Sequence, residues 1–460
     1  MHSLSYLVVA VASVFAIRLA DAKAVFAHYM LGSIDQDHAE KDIDDAIAMG
    51  FDAFSLNIGF PQAPFVFTSL VRLFDHADTL KSNGGNFRLF ISMDLYAAGQ
   101  QKHADGTPVN AFDYGDTFRD FITRPSYYLG PNGKPFVTTF SDGGMDGPSF
   151  SGWRQTLSST GVFNTSHPAW WDYWGPVIDG VTAWESAWPI RGGFGGNYPG
   201  DTELDKQVIE GIDGNPGTLS HGKTYMMPMS TLQYKNAYNT NVYREGGLNL
   251  VQRMKETLAM PNGPDFIQVI TWNDGPESHY IGNLWPEQNS DAEPALYASS
   301  TKGNHRGWQP LIHSFIVAFK HGAKDISQMT LPPGTTSAFT GAIWYKKVLS
   351  GANCPGATKP DDYEAAKDKI TWAIIVDSSA TFAVSDGVVP DVTLSAGMNF
   401  GEFDLKAGPP RVTLKRNGVV IATASGGPCA YNTCPDGIYN LNPEVSKFER
   451  LHNCEYWRVD

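Results

Sequence analysis

The sequence predicts an α/β protein: a (β/α)8 TIM-type barrel followed by a C-terminal antiparallel β-sandwich. Three observations carry this reading. Apolar runs of strand length alternate with helical stripes up to residue 325, the pattern of repeated βαβ units around a parallel sheet. Beyond residue 325 the period changes to short alternating runs with turn residues between them. No G-x-G-x-x-G follows the first strand, so a dinucleotide-binding open sheet loses support. The expected organisation is a signal peptide over 1–22, a catalytic barrel over 23–325 and a β-sandwich over 326–460.

The elements follow in order. Residues 24–31 (AVFAHYML) form a short apolar run, then 37–49 place Ile43, Ala46 and Ile47 at helical spacing with Gly50 as a stop. Residues 51–58 read as a strand, and 67–80 carry Phe67, Leu70, Val71, Phe74, Ala77 and Leu80 on one helical stripe. Residues 87–95 are strand-like, 113–122 helical, 135–141 strand-like and 151–158 a short helix. A weak strand at 161–164, a run at 179–185 and a strand at 224–231 come next. A helix over 247–259, a strand over 265–272 and an amphipathic helix over 308–321 complete the barrel. In the last region GAIWYKKV, KITWAIIVD, ATFAVSD and PRVTLKRNGVVIATAS alternate, and Asn417-Gly418 marks a hairpin.

The N-terminal run LSYLVVAVASVFAI is too short to span a bilayer, and Ala20-Asp21-Ala22 supplies an A-x-A cleavage pattern. Secretion is therefore expected, and removing Arg18 and Asp21 leaves the net charge at −14. Such a surface repels phosphate backbones and anionic lipid, which argues against nucleic acid and membranes as partners. Charged residues are 18% and aromatic residues 12%, which suits neutral, hydroxyl-rich ligands that stack on rings and equally suits a large core. Four cysteines admit three pairings; the short loop favours Cys429–Cys434 and leaves Cys354–Cys454. Neither C-x-x-C nor a matching His pair appears, so no zinc site is expected. Asn164-Thr165-Ser166 is a glycosylation sequon.

In a barrel of this kind chemistry sits where strands end. The strand ends offer His28 and Tyr29, then Asn57, Asp94 and Asp142. The run 179–188 adds Trp184, Glu185 and Trp188. The run 265–280 adds Trp272, Asn273, Asp274, Glu277, His279 and Tyr280. Five carboxylates thus meet on one rim among aromatic rings. Glycoside hydrolysis needs that: one carboxyl protonated to protect the leaving oxygen, the other ionised to activate water or attack. Like charges crowded together also raise one carboxyl pKa. Each residue has a plainer reading. A strand-end carboxylate is often a helix cap or a salt-bridge partner, His28 and His279 can be satisfied core histidines, and Trp184 and Trp188 can simply pack.

The stretches VFAHYMLG (25–32), FDAFSLNIG (51–59), TAWESAWP (182–189) and above all TWNDGPESHY (271–280) resemble the fungal family-71 glycoside hydrolases, the α-1,3-glucanases or mutanases. The resemblance covers nearly the whole chain after the leader. It implies a (β/α)8 barrel with a β-sandwich, inverting hydrolysis of (1→3)-α-D-glucan, no metal and no other cofactor. It places the two catalytic carboxylates on Asp274 and Glu277 and a further essential aspartate on Asp94. Which of the pair is acid and which is base is left open by the sequence, with Glu277 favoured as acid and Asp274 as base. His28, Tyr29, Asn57, Asp142, Trp184, Glu185, Trp188, Trp272, Asn273, His279 and Tyr280 are expected to line the substrate cleft. Gly275-Pro276 stands where the family pattern has Tyr-Gly or similar, and the segment from Asn241 lacks an adjacent Trp. The chain is expected to be a monomer located outside the cell or in the cell wall. The alternatives are a non-catalytic carbohydrate-binding protein and a glycosidase of the same fold acting on another glucan.

Overall fold

The computed structural model describes residues 23–141, 160–164, 177–212, 215–378 and 381–450. The leader (1–22), the helix expected at 151–158, Asp142 and Cys454 lie outside the described residues.

The chain opens with β1 (Ala24–Met30), α1 (Gln36–Ala48), β2 (Ala53–Ile58), α2 (Pro64–Ser82) and β3 (Arg88–Asp94). Helix α1 turns Ala39, Asp42, Ile43 and Ala46 inward, at the spacing of one helical face. Gly50 then reverses the chain at φ +80°, a conformation that favours glycine. Next come α3 (Leu95–Gly99), α4 (Gly115–Phe121), β4 (Phe136–Phe140), β5 (Thr160–Asn164), β6 (Gly180–Thr182) and α5 (Glu203–Glu210). They are followed by β7 (Thr224–Ser230), β8 (Gln233–Ala237), β9 (Thr240–Arg244), α6 (Asn249–Ala259), β10 (Phe266–Ile270) and α7 (Gln309–Lys320).

Strands β1 to β7 pair with their neighbours in chain order, all parallel, and β10 closes the ring between β7 and β1. The strand expected weakly at 161–164 is present and lies between β4 and β6. Side chains alternate across each strand. Phe26, Phe90, Phe136 and Phe266 meet inside the ring, with centroids 5.0–6.0 Å apart. They plug its lower half, and each such buried ring contributes roughly 1.5–3 kcal/mol. Two residues further along the same strands, the inward positions become polar. The pair β8–β9 is an antiparallel hairpin turned by Tyr238 and Asn239, both at positive φ. This hairpin was not anticipated from the sequence.

After α7 the chain forms β11 (Phe339–Lys346), β12 (Val348–Asn353), β13 (Lys369–Val376), β14 (Phe382–Ser385), β15 (Val392–Thr393) and β16 (Gly397–Asp404). It ends in β17 (Arg411–Arg416), β18 (Val419–Ser425), β19 (Tyr431–Thr433), β20 (Pro443–Lys447) and β21 (Glu449–Arg450). One antiparallel sheet has the order β16-β13-β11-β20 and another the order β15-β14-β17-β18-β21. Ile343, Ile374, Phe382, Val412 and Leu414, drawn from both sheets, share one apolar cluster. The opposite face of the first sheet joins the barrel core through Trp344, Ala373 and Ile375. No helix among the described residues is long and apolar enough to cross a membrane.

The disulfide differs from expectation: Cys354 pairs with Cys434, and Cys429 has no disulfide partner among the described residues. Strand pairing is the cause. Strands β12 and β19 run parallel with Asn353 opposite Thr433, which brings the two following residues together. Peptide mapping of the unreduced protein should recover Cys354 linked to Cys434. A peptide linking Cys429 to Cys434 would contradict this pairing.

Candidate active site

The polar layer above the aromatic plug comes from alternate positions on adjacent strands. His28, Asn57, Asp94 and Gln268 all face inward. His28 Nδ1 accepts from Gln268 Nε2 at 3.1 Å. Its burial, aided by the nearby His279, pushes the imidazole down to about 3, so the ring is neutral. Asn57 Nδ2 donates to Asp94 Oδ2 at 3.1 Å, and its own side-chain oxygen is buried with no hydrogen-bond partner among the described residues. Asp94 Oδ1 also caps α3 through the Ala97 N–H at 2.9 Å. The capping role and a place at the barrel mouth therefore coexist in one half-buried residue. Burial pushes its carboxyl up, and Glu277 adds to the shift.

The central feature is the loop after β10. The Thr271 N–H donates to His279 O at 2.7 Å and the Ile281 N–H to Thr271 O at 3.1 Å, so the loop closes on itself. Asn273 sews it to β1: its Oδ1 accepts from the Met30 N–H at 2.8 Å and its Nδ2 donates to Met30 O at 3.1 Å. Inside the loop, Thr271 Oγ1 accepts from the Asp274 N–H at 2.9 Å, and Asp274 Oδ1 accepts from the Glu277 N–H at 3.0 Å. The turn so formed brings one atom each of Asp274, Glu277 and His279 within 4.8 Å of one another.

The two carboxyls have unequal surroundings. Glu277 Oε2 accepts from Gln233 Nε2 at 2.7 Å and faces His279 Nε2 at 3.1 Å, while its Oε1 lies 3.3 Å from Lys235 Nζ. Desolvation acts to raise its pKa, but the hydrogen bond and charge of His279, the Lys235 ammonium and Gln233 outweigh it and hold Glu277 well below the ordinary glutamate range. Asp274 has no such set of donors. Its burial, with Glu277 as a like charge, holds it above the ordinary aspartate range against the opposing pull of His279. Among the described residues two groups have ligand atoms close enough together for a metal ion, Asp35 with His38 and Glu287, and Asp274 with Glu277 and His279; in the second, the Lys235 ammonium and the hydrogen bonds just described already serve Glu277 and disfavour a cation.

Gln233 and Lys235 are the residues that sequence reasoning missed. They sit two apart on β8 and so share one face of the hairpin, and the Tyr234 N–H between them donates to Glu277 O at 3.1 Å. The Q-Y-K alternation was the available signal.

The other anticipated residues divide. Trp184 stands at the mouth against His28, with Trp188 and His279 around it. Trp188 is buried, stacked on His279 at 5.6 Å and beneath the Arg244 guanidinium. Glu185 is a salt-bridge partner, its Oε2 2.5 Å from Arg244 Nη1. Four expectations of cleft lining are corrected. Tyr29 neighbours His28 on β1 and therefore faces the opposite way, donating to Asp42 Oδ2 at 3.0 Å within the core. Trp272 is buried against Phe51 and Phe54, so close to Gly282 that a Cβ there would lie 2.3 Å away. Asn273 is a buried clamp, as described. Tyr280 is buried, stacked on His305 at 4.0 Å and hydrogen-bonded to Gly303 O.

The glycosyl hydrolase family 71 model matches residues 21–455. The chain is 28% identical over 445 residues to glucan endo-1,3-alpha-glucosidase agn1 of Schizosaccharomyces pombe, covering 91% of this chain and 93% of that protein. It is 28% identical over 440 residues to a mutanase of Penicillium rubens, covering 92% of this chain and 88% of that one. It is also 25% identical over 460 residues to the ascus wall endo-1,3-alpha-glucanase of S. pombe, covering 91% and 96%. With the model spanning nearly the whole sequence, this chain belongs to glycosyl hydrolase family 71 and is a glycosidase.

Proposed function

We propose that the protein is a secreted hydrolase of cell-wall (1→3)-α-D-glucan, endo-acting, with Asp274 and Glu277 as its acid and base. The observation that carries this reading is the closed loop holding two carboxyls side by side in opposite protonation environments. Asp274, held above its ordinary range, donates a proton to the glycosidic oxygen as the bond from that oxygen to C1 breaks. Glu277, held ionised, takes a proton from the water whose oxygen attacks C1. This reverses the assignment of acid and base suggested by the sequence, and the Lys235, Gln233 and His279 contacts to Glu277 support the reversal. Asp94 orients water or a sugar hydroxyl, and His28, Asn57 and Trp184 line the cleft. Residues 23–325 supply the dyad. The domain expected over 326–460 is read as a β-sandwich whose described residues brace the barrel. The relative named from the ascus wall and the leader-like run at 1–22 support a place in the cell wall or outside the cell.

The stereochemistry follows the family: a single displacement with inversion. One oxygen of each carboxyl lies within 4.8 Å of the other in the free protein, so the anomer released first is the decisive observation for this assignment.

Three outcomes are expected. Asp274→Asn and Glu277→Gln should each lower reducing-sugar release from insoluble α-1,3-glucan by about 10²–10⁴-fold while the protein stays folded and still binds the polymer. Near wild-type release by either variant would refute the assignment. NMR should detect the β-anomer first; the α-anomer first would mean double displacement with Glu277 as nucleophile. Lys235→Met removes the cation that favours ionised Glu277, so the Glu277 pKa rises. The acidic limb of the pH–rate profile should then move up by roughly one pH unit, while the alkaline limb, set by Asp274, moves less. An unmoved acidic limb would exclude Glu277 as the base.

A further inference from the structure

Gly275 and Pro276 depart from the family pattern, and the site described above gives them no part. Proline has no N–H with which to fix its own place in a turn. Its carbonyl is held instead: Tyr297 Oη donates to Pro276 O at 2.7 Å. The same phenol oxygen accepts from the Asn236 backbone N–H at 3.3 Å. Pro276 directly precedes Glu277, and Asn236 directly follows Lys235. One buried hydroxyl therefore joins the two backbone segments that present the Lys235–Glu277 pair.

Tyr297 is itself fixed. It is 1% exposed, and its ring lies edge-on to Tyr234 with centroids 5.1 Å apart. Its carbonyl accepts from Asn442 Nδ2 at 2.9 Å, and that amide also reaches Tyr280 Oη at 3.2 Å. The Tyr234 hydroxyl donates to Tyr439 O at 3.1 Å. On the far side of the loop, a Cβ on Gly275 would lie 2.8 Å from Asn289 Oδ1, so the turn is packed close there. Both the hairpin and the loop are thus referred to the chain segment 439–442, outside the barrel strands.

We infer that Tyr297 is a positioning residue for the dyad: its hydroxyl sets the distance between Lys235 and Glu277, with the C-terminal region as the anchor. The inference rests on the reading of Glu277 as the base. Glu277 is faced by Lys235 from β8, Arg244 from β9, Asp94 from β3, Asp274 and His279 from its own loop, and Tyr297. Of these, the Lys235 contact is the one spanned by the phenol.

Tyr297→Phe removes a single oxygen from the full-length protein and leaves the ring packing. Hydrolysis of α-1,3-glucan should lose about ten- to a hundredfold in kcat with KM changed by less than roughly twofold. The acidic limb of its pH profile should move upward, as it does in Lys235→Met, and combining the two substitutions should move it no further. A purely structural tyrosine would lower the melting temperature and leave that limb where it was. Wild-type kcat and an unmoved limb in Tyr297→Phe, with Glu277→Gln inactive in the same assay, would overturn the inference and leave the dyad standing. An active Glu277→Gln would overturn both.

Discussion

Two carboxyl side chains, three positions apart on one closed loop, are served unequally by their neighbours: Lys235, Gln233, His279 and the Arg244 charge all favour the ionised form of Glu277. The asymmetry between them is the constraint from which the site follows. Glu277 takes the direct contacts of the lysine, the glutamine and the histidine; at Asp274 burial and a like charge prevail over the pull of His279 and the Glu277 N–H. Nothing in the identities of Asp and Glu decides this. It is decided by which of the two the β8–β9 hairpin reaches, and the hairpin reaches Glu277 through Gln233, Lys235 and the backbone N–H of Tyr234.

The barrel contributes by holding the loop still. Trp272 N–H donates to His28 O at 2.7 Å, and Asn273 brackets Met30 from both sides. The loop is therefore continuous with the β1 edge of the ring, and the phenylalanine plug beneath keeps that edge from shifting. A second brace lies under the Trp184–Ala187 turn. There Arg253 and Asp205 form a fully buried ion pair at 2.9 Å, and Ser186 Oγ donates to Asp205 Oδ1 at 2.8 Å. Removing one partner of such a pair leaves an uncompensated charge and costs about 3–5 kcal/mol. The tryptophan at the mouth is thus carried on a support as costly to disturb as the core itself.

Much of this was legible in the sequence, for identifiable reasons. Strand–helix alternation is a strong periodic signal, and it located the barrel strands, including the short one at 160–164. The loop 271–280 stood out because polar and aromatic residues crowd into it. What could not be read was direction. His28 and Tyr29 are neighbours in sequence and opposites in space, since a strand turns successive side chains to opposite faces. Trp272, Asn273 and Tyr280 lie in the same motif as the dyad, yet their side chains clamp the loop to its surroundings rather than face a ligand. Gln233 and Lys235 escaped notice because their function depends on a hairpin packing against a loop some forty residues away in sequence. The cysteine pairing was missed for the same reason: proximity in sequence favoured Cys429, while the parallel register of β12 and β19 favoured Cys354.

The C-terminal sheets share a core with the barrel through Trp344, Ala373 and Ile375, and Tyr439 and Asn442 reach the residues that hold the hairpin and the loop. The barrel and the sheets therefore form one mechanical unit at the dyad. The central claim, that the two carboxyls rest in opposite protonation states, is tested most directly by neutron diffraction from deuterium-exchanged crystals held at the pH of greatest activity. The account predicts a deuteron on the Asp274 carboxyl and none on Glu277. A deuteron on Glu277, or bare carboxylates at both positions, would contradict it.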